Sequence, residues 1–268
     1  GLSNHAELRG AQMNHVRHAS SDDHVIVQNA QGQSCIVIVC EHASHFIPDP
    51  YKNLGMRNED LQSHAAWDPG AMRVAQGISA HLDAQLVASG VSRLIYDCNR
   101  PPSAADAMPA QSETIQIPGN MDLTADDRNE RAQLYYAPFR DQLSETIAAI
   151  SNPVIATIHS FTPLYHGQAR AVEIGILHDS DTRLADMMLQ LSPVHTVADV
   201  LRNAPSGPEH GVTHTLQVHA IKARHLNVMI EICNDLIQTV EQQDRMADTL
   251  SKWLSESLQK LTSAKDMQ

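Results

Sequence analysis

The chain has 268 residues, 42% hydrophobic and 19% charged, ordinary globular proportions with length enough for one large α/β domain and its core. A formal net charge of -12 lacks the basic footprint of a nucleic-acid binder and excludes that class, while leaving room for a local arginine pocket that takes an anionic substrate. No apolar stretch reaches the length of a membrane span, no signal-peptide core opens the chain, and Cys35, Cys40, Cys98 and Cys233 lack metal-type spacing, which predicts no membrane partner and a cytoplasmic protein with reduced thiols.

Residues 1–33 are polar, rich in histidine (His5, His15, His18, His24) and without a period, and read as an N-terminal arm ahead of a single domain over 34–268. Cys35 to Cys40 is a β-branched apolar run, a buried strand that breaks off into Glu41, His42 and small polar residues. Asn58 to Ala65 reads as a short helix. Asp68-Pro69-Gly70 opens a second helix, with Asp68 placed as its N-cap and Met72, Val74, Ala75, Ile78 and Leu82 at near-helical spacing.

Gln85–Ala88 and Arg93–Cys98 read as strands, the second stopped by Asn99-Arg100-Pro101-Pro102. Residues 103–123 form a long loop, a lid or rim candidate. Thr124 to Ile150 is helical, capped by Thr124 and kinked at Pro138. A strand follows from Ile155 into His159-Ser160-Phe161, then a strand over Ala171–Leu177, a helix over Thr182–Leu191, a Pro/Gly-rich turn region and a helix over Thr213–Arg224. Asn227 to Ile230 is a strand that runs into Glu231, and a helix from about Asp235 to Leu261 closes the chain. Such alternation predicts an α/β fold with a central mixed, mostly parallel sheet flanked by helices.

Three apolar runs end in a His or Glu, and ligands in open α/β sheets collect past the carboxyl ends of strands. Catalytic zinc typically takes three ligands from His, Asp and Glu and leaves a position for water. His42, Asp68 and His159 are candidate ligands for Zn2+ or another divalent metal, with Glu41 competing with Asp68 or hydrogen-bonding a ligand histidine instead. Glu231 is the candidate general base and His64, one helical turn before Asp68, a candidate for the same site. Asn99 and Arg100, with Arg93 and Arg170, are candidate carboxylate binders. Ser44 and Ser160 are weaker candidates as nucleophiles, because neither lies in a Gly-x-Ser-x-Gly elbow.

The motifs Cys40-Glu41-His42-Ala43-Ser44, His64-Ala65-Ala66-Trp67-Asp68-Pro69-Gly70-Ala71, Ser92-Arg93-Leu94-Ile95-Tyr96-Asp97-Cys98-Asn99-Arg100-Pro101, Thr157-Ile158-His159-Ser160-Phe161-Thr162-Pro163 and Ile230-Glu231-Ile232-Cys233-Asn234-Asp235-Leu236-Ile237, in that order, resemble the N-formylglutamate amidohydrolase family. The resemblance runs from about residue 35 to 240, and the family is similar in turn to zinc-dependent exopeptidases of the carboxypeptidase type. It implies a zinc-exopeptidase-like fold, a catalytic amidohydrolase domain over 34–268, His42, Asp68 and His159 as metal ligands, Glu231 as base and Asn99-Arg100 as holder of a substrate carboxylate. It implies as substrate a small N-acyl amino acid, N-formyl-L-glutamate in the first place, cleaved to glutamate and formate late in histidine breakdown. One departure is Cys233, where the family usually has an arginine after Glu231-Ile232. The alternatives are a deacylase of another N-acyl substrate, a cell-wall-type amidase, and a metal- or carboxylate-binding protein without turnover.

Overall fold

The computed structural model describes residues 16–18 and 24–266; His5, His15 and most of the expected arm lie outside them. Among the described residues eight strands share one sheet: β1 (Val16–His18), β2 (Val25–Gln28), β3 (Ile36–Cys40), β4 (Gln85–Ser89), β5 (Val154–Phe161), β6 (Ile174–Leu177), β7 (Val200–Arg202) and β8 (Asn227–Cys233). Their order across the sheet is β1-β2-β4-β3-β5-β8-β6-β7. The central strands β4, β3, β5 and β8 run parallel, and the flanking β2 and β6 run antiparallel to β4 and β8. This is the mixed, mostly parallel sheet expected. β1 and β2 carry it back into the stretch read as an arm, so the sheet begins before residue 34.

The helices are α1 (Ala71–Leu82), α2 (Ala125–Arg131), α3 (Ala137–Ala148), α4 (Arg183–His195), α5 (His214–His219) and α6 (Val240–Asp266). Successive strand side chains point to opposite faces. Ile36, Ile38, Ala156, Ile158, Val228 and Ile230 therefore pack with Val74 and Ile78 of α1, Met188 of α4 and Trp253 of α6. On the other face Val37, Val39, Ile155 and Met229 pack with Phe139 and Leu143 of α3. A strand covered on both faces has no polar side, which is why β3 reads as an unbroken apolar run. His159 and Glu231 follow Ile155 and Met229 at even spacing and so belong to the α3 face. They are also register partners on neighbouring parallel strands.

Several local expectations give way to tertiary packing. Asn58 to Ala65 is not a helix but a chain of i to i+3 turns, with Leu61 bonded to Asn58, Ser63 to Asp60 and Ala66 to Ser63. Asn, Asp and Ser compete with the helix by bonding nearby backbone, as the Ser63 hydroxyl does on the Asp60 carbonyl. Arg93 to Cys98 is not a strand but a buried turn, with Ile95 and Tyr96 bonded back to Ser92. Side chains satisfy its carbonyls: Asn120 donates to Leu94 and the buried Arg131 to Ile95. An apolar run alone cannot separate a buried turn from a buried strand.

The expected long helix is α2 and α3 joined by a π-helical stretch, Ala132–Tyr136, just before Pro138. Thr124 caps it as expected, in a capping box with Asp127. The loop 103–123 contains a short hairpin, Gln111–Ser112 with Ile115–Gln116. A second hairpin, Leu164–Tyr165 with Gln168–Ala169, follows β5.

Candidate active site

The carboxyl ends of β3, β5 and β8 meet at one edge. His42 lies two residues past the end of β3, His159 lies near the carboxyl end of β5, and Asp68 arrives in the segment before α1, where its N–H donates to the His42 carbonyl at 2.9 Å. Asp68 does not cap α1: the cap residue is Gly70, at φ 83, and no side-chain cap bond forms. A Cβ at Gly70 would lie 2.6 Å from the Ile237 carbonyl oxygen, so only glycine makes this turn. The turn leaves the Asp68 carboxylate free to face the sheet edge, where Oδ2 accepts the Ser160 N–H at 3.1 Å and Oδ1 accepts from Arg93 at 3.3 Å.

His42 Nδ1, His159 Nδ1 and Asp68 Oδ2 form a triangle with sides of 3.2, 3.1 and 3.2 Å, all three residues buried. Two donors on one tetrahedral zinc at about 2.0–2.1 Å lie about 3.3 Å apart, so the spacing fits that ion. The outer nitrogens confirm which atoms face inward. His42 Nε2–H donates to Asp97 Oδ1 at 2.7 Å and His159 Nε2–H to Glu41 Oε1 at 3.1 Å. Carboxylates only accept, so Asp97 and Glu41 each hold a proton on an Nε2, and both Nδ1 atoms face Asp68, where a metal ion would take their lone pairs in the carboxylate–histidine pattern of metal ligands. Glu41 thus stands behind His159, its other oxygen accepting from the Thr215 hydroxyl at 2.9 Å, and is not a member of the triangle.

Without a cation, protons answer this concentration of acceptors. Burial would lower both imidazoles, but Glu41 and Asp68 hold His159 well above its ordinary value, and Asp97 and Asp68 raise His42 against burial and Arg93. Burial would raise Asp68 and Asp97, yet His42 and His159 together on Asp68, and His42 with Arg93 and Arg100 on Asp97, outweigh it and hold both well below the usual carboxylate range. Glu231 is different. It is 9% exposed, makes no hydrogen bond or ion pair among the described residues, and burial pushes its carboxyl up to about 7 against the pull of His159, with the Asp68 charge adding to the rise.

A cavity of about 530 Å³ opens over this floor, and all nine expected site residues line it: His42, His64, Asp68, Arg93, Asn99, Arg100, His159, Arg170 and Glu231. Their wiring differs. Arg93 bonds Asp68 and Asp97, bracing the ligand-side carboxylates. Asn99 accepts the Thr215 N–H and donates to the Val212 carbonyl, which leaves one amide hydrogen for a bound molecule. Arg100 pairs with Asp106 at 3.0 Å. Arg170 lies over the rings of Phe161 and Tyr165 with its buried Nε unpaired. The Ser160 hydroxyl donates to the Pro69 carbonyl and the Ser44 hydroxyl accepts the Phe46 N–H, so both serines are structural.

Two residues in the cavity wall had no place in the sequence reading. Asp97 orients His42, and its position inside the motif Tyr96-Asp97-Cys98-Asn99-Arg100 was the available signal. Glu113, from the rim hairpin, bonds His64, and nothing local in the sequence marks it.

A family model described as N-formylglutamate amidohydrolase matches residues 34–238. A solved structure of a gene product from Agrobacterium tumefaciens is 49% identical, covering 90% of this chain and 96% of its own, at a TM-score of 0.87. An N-formylglutamate amidohydrolase from Ralstonia eutropha, 14% identical, shares the fold at a TM-score of 0.56, over 84% of this chain and 94% of its own. No curated protein matches the chain.

Proposed function

The chain belongs to the N-formylglutamate amidohydrolase family and is an amide hydrolase, and we propose that it cleaves N-formyl-L-glutamate, or a close N-acyl amino acid, with zinc or another divalent ion held by His42, Asp68 and His159. The observation that carries this reading is the buried triangle of donors beside an unpaired Glu231, its carboxyl pushed up to about 7 by burial, in an arginine-lined cavity. A divalent ion there would supply a Lewis acid for the amide carbonyl and for water.

The protein's own groups do the rest. Glu231 takes a proton from the attacking water as the oxygen bonds to the acyl carbon, then delivers it to the leaving nitrogen as the C–N bond breaks. Burial suits it to both tasks, since a base that must also act as an acid works best with a pKa near the operating pH. His64, on the cavity wall, is a substrate contact whose ring accepts the N–H of the scissile amide and so orients the leaving nitrogen. Asn99 and Arg100, with Arg93 and Arg170, hold the substrate carboxylates and so fix the amide over the floor.

The setting in this reading is cytoplasmic histidine breakdown. No helix among the described residues is long and apolar enough to cross a membrane. A cavity of about 530 Å³ leaves room for an acyl group larger than formyl. The test is therefore a panel of N-formyl and N-acetyl amino acids assayed with zinc-loaded protein, alongside metal analysis. N-formylglutamate is expected to give the highest kcat/KM; hydrolysis of none of the panel, or full activity after exhaustive chelation, would overturn the proposal.

A further inference from the structure

Glu113 occupies a position that backbone chemistry does not favour for it. It lies in the two-residue turn of the rim hairpin at φ 52, in the left-handed region where Gly, Asn and Asp are the ordinary choices. Its side chain nevertheless turns inward, with 17% exposure. Oε1 accepts a hydrogen bond from His64 Nε2–H, and Oε2 accepts the His166 backbone N–H at 3.3 Å. His166 lies at the tip of the other rim hairpin, which leads to Arg170 and contributes Tyr165 to the cavity wall. One carboxylate thus joins a cavity-lining imidazole to both hairpins of the rim. An outlier conformation kept at a turn, with the side chain spent on such contacts, points to a use for the carboxylate.

We propose that Glu113 is a positioning residue for the hydrolysis, holding His64 in the tautomer with the proton on Nε2 so that Nδ1 is the nitrogen presented to the substrate. The proposal rests on the role given to His64 in the hydrolase reading. Its chemistry is that of a carboxylate behind an imidazole: an acceptor-only group fixes which ring nitrogen keeps its proton and which way the ring faces. The Glu113 carboxyl meets that requirement, because the bonds from His64 and His166 outweigh burial and hold it below its usual range. The grip on the His166 N–H adds a second consequence, that the ring is set only when the two hairpins are together.

Glu113→Gly tests this without endangering the fold, since glycine relieves the positive φ while removing the carboxylate. In zinc-loaded full-length protein, Glu113→Gly should lower kcat about 10–100-fold, the usual cost of losing a group that orients a functional histidine, with KM moving less than about threefold. In a His64→Asn background the same change should cost nothing further, because Glu113 acts through the ring. Two-bond nitrogen–proton NMR spectra of histidine-labelled protein, with His64 assigned by the His64→Asn variant, should show the Nε2–H tautomer in the wild type and its loss in Glu113→Gly. An equal kcat loss with and without His64, a change in KM alone, unaltered kinetics, or an unaltered His64 tautomer would each overturn the proposal. The spectra separate this from the hydrolase reading: if no panel substrate is cleaved, that reading fails, while the tautomer still decides the part played by Glu113.

Discussion

Replacing Glu231 by glutamine should damage catalysis and stabilise the metal-free protein at once. A carboxyl whose pKa rises from 4.5 to about 7 on folding carries a penalty of about 3 kcal/mol on its ionised form. The sign follows from linkage: between those two values the folded chain holds a proton that the unfolded chain has released, so stability falls as pH rises through the window. Glutamine keeps the shape without the charge. At pH 8, chelator-treated Glu231→Gln should therefore melt roughly 5–10 °C higher than chelator-treated wild type, and the gain should shrink toward zero near pH 5. Removing the base should lower kcat by about 10²–10⁴-fold while leaving zinc content intact. Scanning calorimetry at both pH values, with metal analysis and an N-formylglutamate assay, measures all three. A variant no more stable than wild type at pH 8, or equally stabilised at pH 5, would refute the claim that burial without a partner sets the state of this carboxyl.

Other consequences are open to measurement. His42→Ala, Asp68→Ala and His159→Ala should each lose bound zinc on dialysis and lose turnover, read by metal analysis on folded protein. Asp97→Asn should weaken zinc binding about 10–100-fold, because an amide no longer fixes the Nε2–H tautomer of His42; competition with a chromophoric chelator gives the value. Because His42 and His159 are raised in the ion-free site, zinc must displace protons, and its affinity should fall as pH falls, seen as proton release in calorimetry in buffers of different ionisation enthalpy. The wild-type rate should likewise fall on the acid side as Glu231 takes up its proton, with a midpoint at or below about 7 because a bound cation favours the carboxylate.

Much of the site was legible because the elements that carry it have strong local signatures. β3, β5 and β8 announce themselves as apolar runs that end in Glu41-His42, His159 and Glu231, and the carboxyl ends of parallel strands are where an α/β sheet gathers function. The turn Arg93–Cys98 reads as a strand for the same reason that the strands are readable: Leu94, Ile95 and Tyr96 are all buried, and burial writes the same apolar pattern whatever the backbone does. The run from Asn58 to Ala65 failed as a helix because its polar side chains had nearer backbone partners.

The sequence by itself determined the layered α/β plan, the strand ends and the residue types gathered there, since periodicity and side-chain chemistry are local properties. Tertiary structure alone decided that Asp68, rather than Glu41, meets His42 and His159, because that choice depends on the left-handed turn at Gly70 and on which nitrogen of each ring faces in. It also decided that Asp97 and Glu113 stand behind His42 and His64: a carboxylate 55 or 49 residues from its imidazole is brought there by packing, and no pattern in the chain records the distance.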